Sequence, residues 1–186
     1  MKFADLGLYF EKIESTSSRL TITELLADLF KKLKPEEMDI TMYLLQGRIA
    51  PQFEKIEMGM AEKMVVRSAL LALNMDKDMF NKMLRQIGDV GKTIEEFKKE
   101  ISSFEEKQLS ITEVFEQLKK MALASGPGSQ EIKMNILSLL FRQADPLTAR
   151  YLARIPTGAL RLGFSDMTVL DALSWMLGGD KTLRPA

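Results

Sequence analysis

Cysteine and histidine are both absent from this 186-residue chain. Without cysteine there is no disulfide framework and no thiolate zinc site. Without histidine the usual general base near neutral pH and the commonest transition-metal ligand are gone. Catalysis would have to rest on carboxylates, lysine or tyrosine, which argues against a stand-alone enzyme. No apolar run approaches the length of a membrane span, and the start, Met1-Lys2-Phe3-Ala4-Asp5, lacks a signal-peptide pattern. A cytoplasmic protein without membrane contact is expected. Charge of one sign is also missing: 26 basic residues balance 26 acidic ones. The global balance therefore gives no support for a nucleic-acid partner. No stretch reads as a strand, and there is no low-complexity tract.

What is present is helical periodicity almost throughout, in a chain that is 46% apolar and long enough for one domain with a sizeable core. The pattern predicts an all-α, single multi-helix domain over residues 1–186. Helices are expected at 6–13, then from the hydroxyl cluster Ser15 to Ser18 up to Lys34, and from Pro35 to near Gly47. Residues 48–58 read as a loop around Pro51. Further helices are expected at 60–73, from a cap at Asp76 to Gly88, and at 91–102. Ser110-Ile111-Thr112-Glu113 has the form of a capping box ahead of an apolar stripe. The last three helices are expected at 129–143, from Asp145-Pro146 to Ile155, and at 166–177 with Val169, Leu170, Leu173, Met176 and Leu177 on one face. The 13 methionines fall mostly on helical apolar faces, where they fill core.

The stretch around which the rest is organised is 157–172. In it a turn, Gly158-Ala159-Leu160-Arg161-Leu162-Gly163, brackets one arginine with glycines. Such a turn is either an interhelical connection with a solvated arginine or a place where backbone comes close to something bulky. A second glycine turn, Ser125-Gly126-Pro127-Gly128-Ser129, opens a helix that carries Lys133. A helix start suits a phosphate, and Ser129 also reads as that helix's N-cap. Locally the charge is not balanced. Residues 118–162 hold seven basic residues (Lys119, Lys120, Lys133, Arg142, Arg150, Arg154 and Arg161) against two acids, Glu131 and Asp145. One face can hold phosphates while the total charge is zero.

Three further motifs read as something plainer than they first look. Gly88-Asp89-Val90-Gly91-Lys92-Thr93 has the end of a phosphate loop, but the glycine needed five residues before Gly91 is Gln86, and a helix precedes it. Gln108, Ile111, Val114 and Phe115 approximate a sliding-clamp box, with Val114 breaking the aromatic pair; core packing is the expected role. The acidic pairs Glu36-Glu37, Glu95-Glu96 and Glu105-Glu106 sit side by side on helices, where adjacent residues do not face each other, so solvated surface is expected.

Taken in order, several pieces resemble the N-terminal DNA-binding domain of archaeal and eukaryotic ATP-dependent DNA ligases, the archaeal form more closely. They are Phe10-Glu11-Lys12-Ile13-Glu14 with Ser15-Thr16-Ser17-Ser18-Arg19-Leu20, Tyr43-Leu44-Leu45-Gln46-Gly47-Arg48 with Pro51, and Gly88-Asp89-Val90-Gly91. Then follow Ser125-Gly126 with Gly128-Ser129 and Lys133, Ala149-Arg150-Tyr151-Leu152 with Arg154, and Leu160-Arg161-Leu162-Gly163 with Leu170-Asp171-Ala172-Leu173. The resemblance implies a helical domain that lies along the minor groove of nicked double-stranded DNA and holds phosphates on both sides of the break, in replication, repair and recombination. It implies that Arg161, between Gly158 and Gly163, enters the groove, and that Gly126, Gly128, Ser129 and Lys133 hold a phosphate. Arg150 and Arg154 either add charge there or pair internally with acids. ATP and magnesium would belong to adenylation and OB-fold domains outside these residues, and no cofactor or metal is expected on this chain.

Two departures stand out. Relatives carry Lys where this chain has Ala159, and they continue with more helix past Arg184-Pro185-Ala186, so a truncated domain is expected. The nucleophile motif Lys-x-Asp-Gly is missing, since Asp-Gly occurs nowhere, so no ligation is expected of this chain alone. The competing reading is a helical protein-interaction module, for example a sliding-clamp adaptor, with little DNA affinity.

Overall fold

The computed structural model describes residues 1–101 and 106–183. Among them are ten α-helices: α1 (Phe3–Glu14), α2 (Arg19–Lys32), α3 (Pro35–Leu45), α4 (Glu62–Leu73), α5 (Lys77–Ile87), α6 (Val90–Glu100), α7 (Ile111–Leu123), α8 (Ser129–Gln143), α9 (Pro146–Arg154) and α10 (Asp166–Gly178). A single 3₁₀ turn, Gln52–Glu54, interrupts the loop after α3. The only β contact among the described residues is an isolated bridge between Lys2 and Ser110. Phe3 N–H donates to Leu109 O at 2.8 Å beside it, which starts α1 earlier than its apolar periodicity suggests. No helix of the described residues is long and apolar enough to cross a membrane.

Local chemistry sets most helix ends. Ser18, Asp76, Asp89, Ser110 and Asp145 each accept an N–H from the first turn of the helix that follows. At Ser110 the box is reciprocal, with Glu113 accepting the Ser110 N–H at 2.8 Å. The Ser110 backbone and hydroxyl donors, then Lys107, draw the Glu113 carboxyl down to about 2. α2 stops at Lys32, two residues short of expectation. Pro35 disfavours the α conformation in Lys34, and the extended backbone already begins at Leu33. α10 differs more. Thr168, Val169, Ala172 and Ser174 are its buried positions, while Leu177 is exposed in its last turn, before the chain reverses at Gly179.

The core is one contiguous apolar cluster. Met58, Met60 and Met121 are buried in it and eight more methionines pack against it, leaving Met79 and Met167 exposed. At the centre Phe10 meets Phe3 edge-on at 6.4 Å and Tyr151 at 4.9 Å. Ile111, Val114 and Phe115, three positions of the clamp-like motif, are all buried here. The segment Ser102-Ser103-Phe104, Glu105 and Arg184-Pro185-Ala186 lie outside the described residues.

Tyr151 also marks the edge where core gives way to charge. Its ring is fully buried, and its hydroxyl donates to Glu14 Oε2 at 3.2 Å. The guanidinium groups of Arg150 and Arg154 flank that ring, 5.1 and 5.8 Å from its centroid. Arg150 pairs with Glu14 (2.6 Å), Glu11 (3.2 Å) and Glu95 (3.5 Å). Arg154 pairs with Glu14 (2.7 Å) and Asp89 (3.0 Å). One carboxylate of α1 thus serves two arginines of α9, and Asp89 and Glu95 bring in α6 at its N-cap and interior. Burial pushes the Asp89 carboxyl up, but the Lys92 N–H and Arg154 outweigh it and hold the group below the ordinary carboxylate value.

α6 and α9 pack closely, and Gly91 permits it. A Cβ there would stand 2.6 Å from the Arg150 carbonyl oxygen, which is backbone and cannot swing aside. The would-be phosphate loop therefore resolves into a left-handed Gly88 C-cap, an Asp89 N-cap and a glycine chosen for space.

Two acids expected at the surface are in fact internal. Glu37 is buried, accepting the Lys34 N–H at 3.0 Å and pairing with the Met1 ammonium. Glu95 is buried against Arg150 and Lys99. Their neighbours Glu36 and Glu96 are exposed, as adjacent helical positions must diverge. No group of carboxylates among the described residues could hold a metal ion.

Three outcomes are expected in urea unfolding. Gly91→Ala should cost about 2 kcal/mol by overpacking α6 on α9. Glu14→Gln should cost about 3 kcal/mol, because two buried guanidinium groups lose a partner, whereas Glu11→Gln, at a half-exposed carboxylate, should cost less than about 1 kcal/mol. A carboxyl depressed in the fold stabilises it above its unfolded value and loses that contribution as pH falls through the folded value. Stability should therefore decline below about pH 4, and less steeply in Asp89→Asn.

Candidate nucleic-acid interface

α9 delivers the arginine turn. After Arg154 the chain makes a tight reversal in which Gly158 N–H donates to Ile155 O (3.2 Å) and Ala159 N–H to Arg154 O (2.9 Å). The Thr157 hydroxyl donates to Arg154 O as well, at 3.0 Å. The backbone then alternates: Leu160 and Leu162 are buried, and Arg161 between them is exposed. Two leucines in the core thus hold one guanidinium out in solvent. Arg161 has no hydrogen-bond or ion-pair partner among the described residues. Gly158 (φ +67°) and Gly163 (φ +73°) bracket it in the left-handed region, with nothing within 4 Å of a Cβ at either. Glycine is needed there for backbone conformation and not for room.

The second turn behaves likewise. Gly126 and Gly128 have φ of +80° and +81° with open space around both. Gly128 is the N-cap of α8, and no side chain caps that helix. This corrects the reading of Ser129 as N-cap. Ser129 is the first helical residue, because a left-handed Gly128 turns the chain directly into the helix. The start of α8 therefore has no side chain over it, and Glu131 in its first turn offsets part of its positive end. Lys133, one turn in, is half-buried, and its ammonium donates to Met58 O at 3.0 Å.

That bond reveals a third segment that the sequence pattern did not mark as a site. The loop at 47–60 reaches both α8 and the arginine turn. It is pinned at one end by Lys133 and touches the arginine turn at the other, where a Cβ on Gly47 would stand 3.9 Å from Leu160 Cβ. Between this loop and residues 155–158 runs a cleft of about 930 Å³, lined by Arg48, Lys55, Thr157 and Gly158 among others. In the sequence, Gly47, Arg48 and Pro51 belong to one of the pieces that carry the resemblance, but nothing there marks the loop as a site.

Arg150 and Arg154 stand apart from this surface. Each is 8% exposed, and their guanidinium groups are committed to the α1 and α6 carboxylates. The cation excess of residues 118–162 is smaller in space than along the chain. Arg150 and Arg154 are neutralised by acids from other segments, and Arg142 donates to Leu71 O at 3.3 Å. Arg142, Arg161, Lys119 and Lys120 remain exposed.

Comparison with known proteins agrees with this architecture. The family model described as DNA ligase N terminus matches residues 2–174. A probable DNA ligase of Dictyoglomus turgidum is 44% identical over 185 residues, covering 100% of this chain and 31% of that protein. DNA ligase 2 of Korarchaeum cryptofilum is 42% identical over 176 residues, covering 94% of this chain and 30% of its own length. A DNA ligase of Acidianus ambivalens is 37% identical over 196 residues, covering 100% of this chain and 33% of its own. The chain thus spans roughly a third of the length of the curated relatives it matches. By this match, and by its helical fold, the chain belongs to the DNA ligase N-terminal domain family.

Proposed function

We propose that this domain holds nicked double-stranded DNA without reading its sequence, as the DNA-binding part of an ATP-dependent DNA ligase in replication, repair and recombination. The observation that carries the reading is Arg161, an exposed and unpartnered cation fixed between two buried leucines and two left-handed glycines. A side chain held out this way on a bare backbone turn fits a groove wall, where phosphates position a protein and bases need not be read. The uncapped start of α8, with Gly126, Gly128 and Ser129, supports a second phosphate contact. Lys133 contributes charge near it while fixing the adjoining loop. Arg150 and Arg154 act from behind, by fixing the helix from which the turn departs, and are left out of the contact set. ATP and magnesium chemistry falls to adenylation and OB-fold domains of the full-length protein.

A protein-interaction module, such as a sliding-clamp adaptor, is favoured by one observation: two cations of the basic stretch, Arg150 and Arg154, are spent inside the fold. The two readings separate in a salt series. Binding to a nicked duplex should fall linearly in log affinity against log salt, with a slope of about 0.9 per phosphate contacted. Arg161→Ala should lower that slope by about one, and Ala159→Lys, restoring the cation of relatives, should raise it by about one. No binding by the unaltered domain at low salt would leave the interaction module as the reading.

A further inference from the structure

Two features of the 47–60 loop serve neither the core nor any ion pair. Phe53, in the 3₁₀ turn, is 82% exposed, more than any other large apolar side chain described. Lys55 follows in the left-handed region, at φ +52°. Glycine and asparagine are the ordinary occupants there, and a lysine holds the conformation under strain. Its ammonium has no partner among the described residues. The loop beneath them is not loose. Met58 and Met60 are buried, Lys133 clamps the Met58 carbonyl, and Ile49 and Ala50 are buried at the other end. A fixed base thus presents an apolar ring and a strained cation to solvent, and Lys55 lines the same cleft as Thr157 and Gly158 of the arginine turn.

We infer that this loop is a further contact with the DNA backbone, in which Lys55 meets a phosphate and Phe53 packs against deoxyribose. The inference rests on the DNA reading above and extends it to residues outside the two glycine turns. Deoxyribose suits the ring because its apolar face is the same in every nucleotide, so the contact adds affinity without sequence preference. Duplex DNA is favoured as the occupant because the loop adjoins the arginine turn through Leu160 and the first turns of α8 through Lys133. Glu54 and Glu57 offset Arg48 and Lys55 in the same loop. The attraction is therefore local to Lys55, and much of the affinity comes from the ring.

The test is a salt series of binding to a nicked duplex, by fluorescence anisotropy, for the unaltered domain, Arg161→Ala, Phe53→Ala and Lys55→Gly, each with a thermal melt. Phe53→Ala should weaken binding about tenfold with the salt slope unchanged, since a ring releases no counterion. Lys55→Gly should lower the slope by about one while raising the melting temperature, because glycine relieves the strain. If Phe53→Ala and Lys55→Gly both bind as the unaltered domain does while Arg161→Ala weakens, the loop inference is overturned and the DNA reading stands. If Lys55→Gly lowers melting temperature and affinity together, the lysine is structural and the inference falls. If the unaltered domain fails to bind at low salt, both readings fall.

Discussion

The Glu14 carboxylate, shared between Arg150 and Arg154, is the interaction on which the rest of the arrangement hangs. Three helices that are distant in sequence meet there: α1 supplies the acid, α9 both bases, and α6 the flanking Asp89 and Glu95. Desolvating so many charges is costly, and only mutual pairing makes it tolerable. The geometry must then be well defined, since an unpaired guanidinium would leave a buried charge uncompensated. Tyr151 ties this network to the apolar interior through its hydroxyl and its ring. Gly91 lets α6 come close enough to join. The carbonyl of Arg154, in the same helix, receives the Ala159 N–H that begins the arginine turn. Internal charge, core and proposed contact surface are thus successive links of one chain of fixed positions.

Much of the fold was legible because helix signals are local. Capping residues act on N–H groups two or three positions away, so Asp76, Ser110 and Asp145 could be read directly and Ser18 to within its hydroxyl cluster. Pro35 and Gly88 mark their boundaries for equally local reasons. What misled were properties decided by partners far along the chain. The sequence leaves open whether Arg150 and Arg154 add to a basic surface or pair internally, because Glu11, Glu14, Asp89 and Glu95 lie outside the stretch in which the charges were counted. Glu37 and Glu95 looked solvated for the same reason. Ser129 looked like a cap because a hydroxyl at a helix start usually is one, and the left-handed Gly128 took the position instead.

The candidate surface divides along the same line. The glycine turns announced themselves, since glycine spacing reports backbone conformation without any partner. The 47–60 loop did not. Its place depends on contacts with Lys133 and Leu160, separated from it by about half the chain, and a single proline gives no hint of them. Phe53 carried no sequence signal either, because an isolated phenylalanine in an otherwise ordinary loop is read as core until its exposure is known.

The alternation of Leu160, Arg161 and Leu162 has an evolutionary consequence. Period-two backbone couples the identity of each residue to its register. Side chains at 159 and 161 face solvent, so packing places no limit on their size. Packing does limit the length of the turn. Gaining or losing one residue between Pro156 and Leu162 would put a guanidinium where a leucine now sits and a leucine where the guanidinium now stands. Across descendants of this chain the turn should therefore resist insertion and deletion, which sets it apart from the ordinary surface loops of a helical domain.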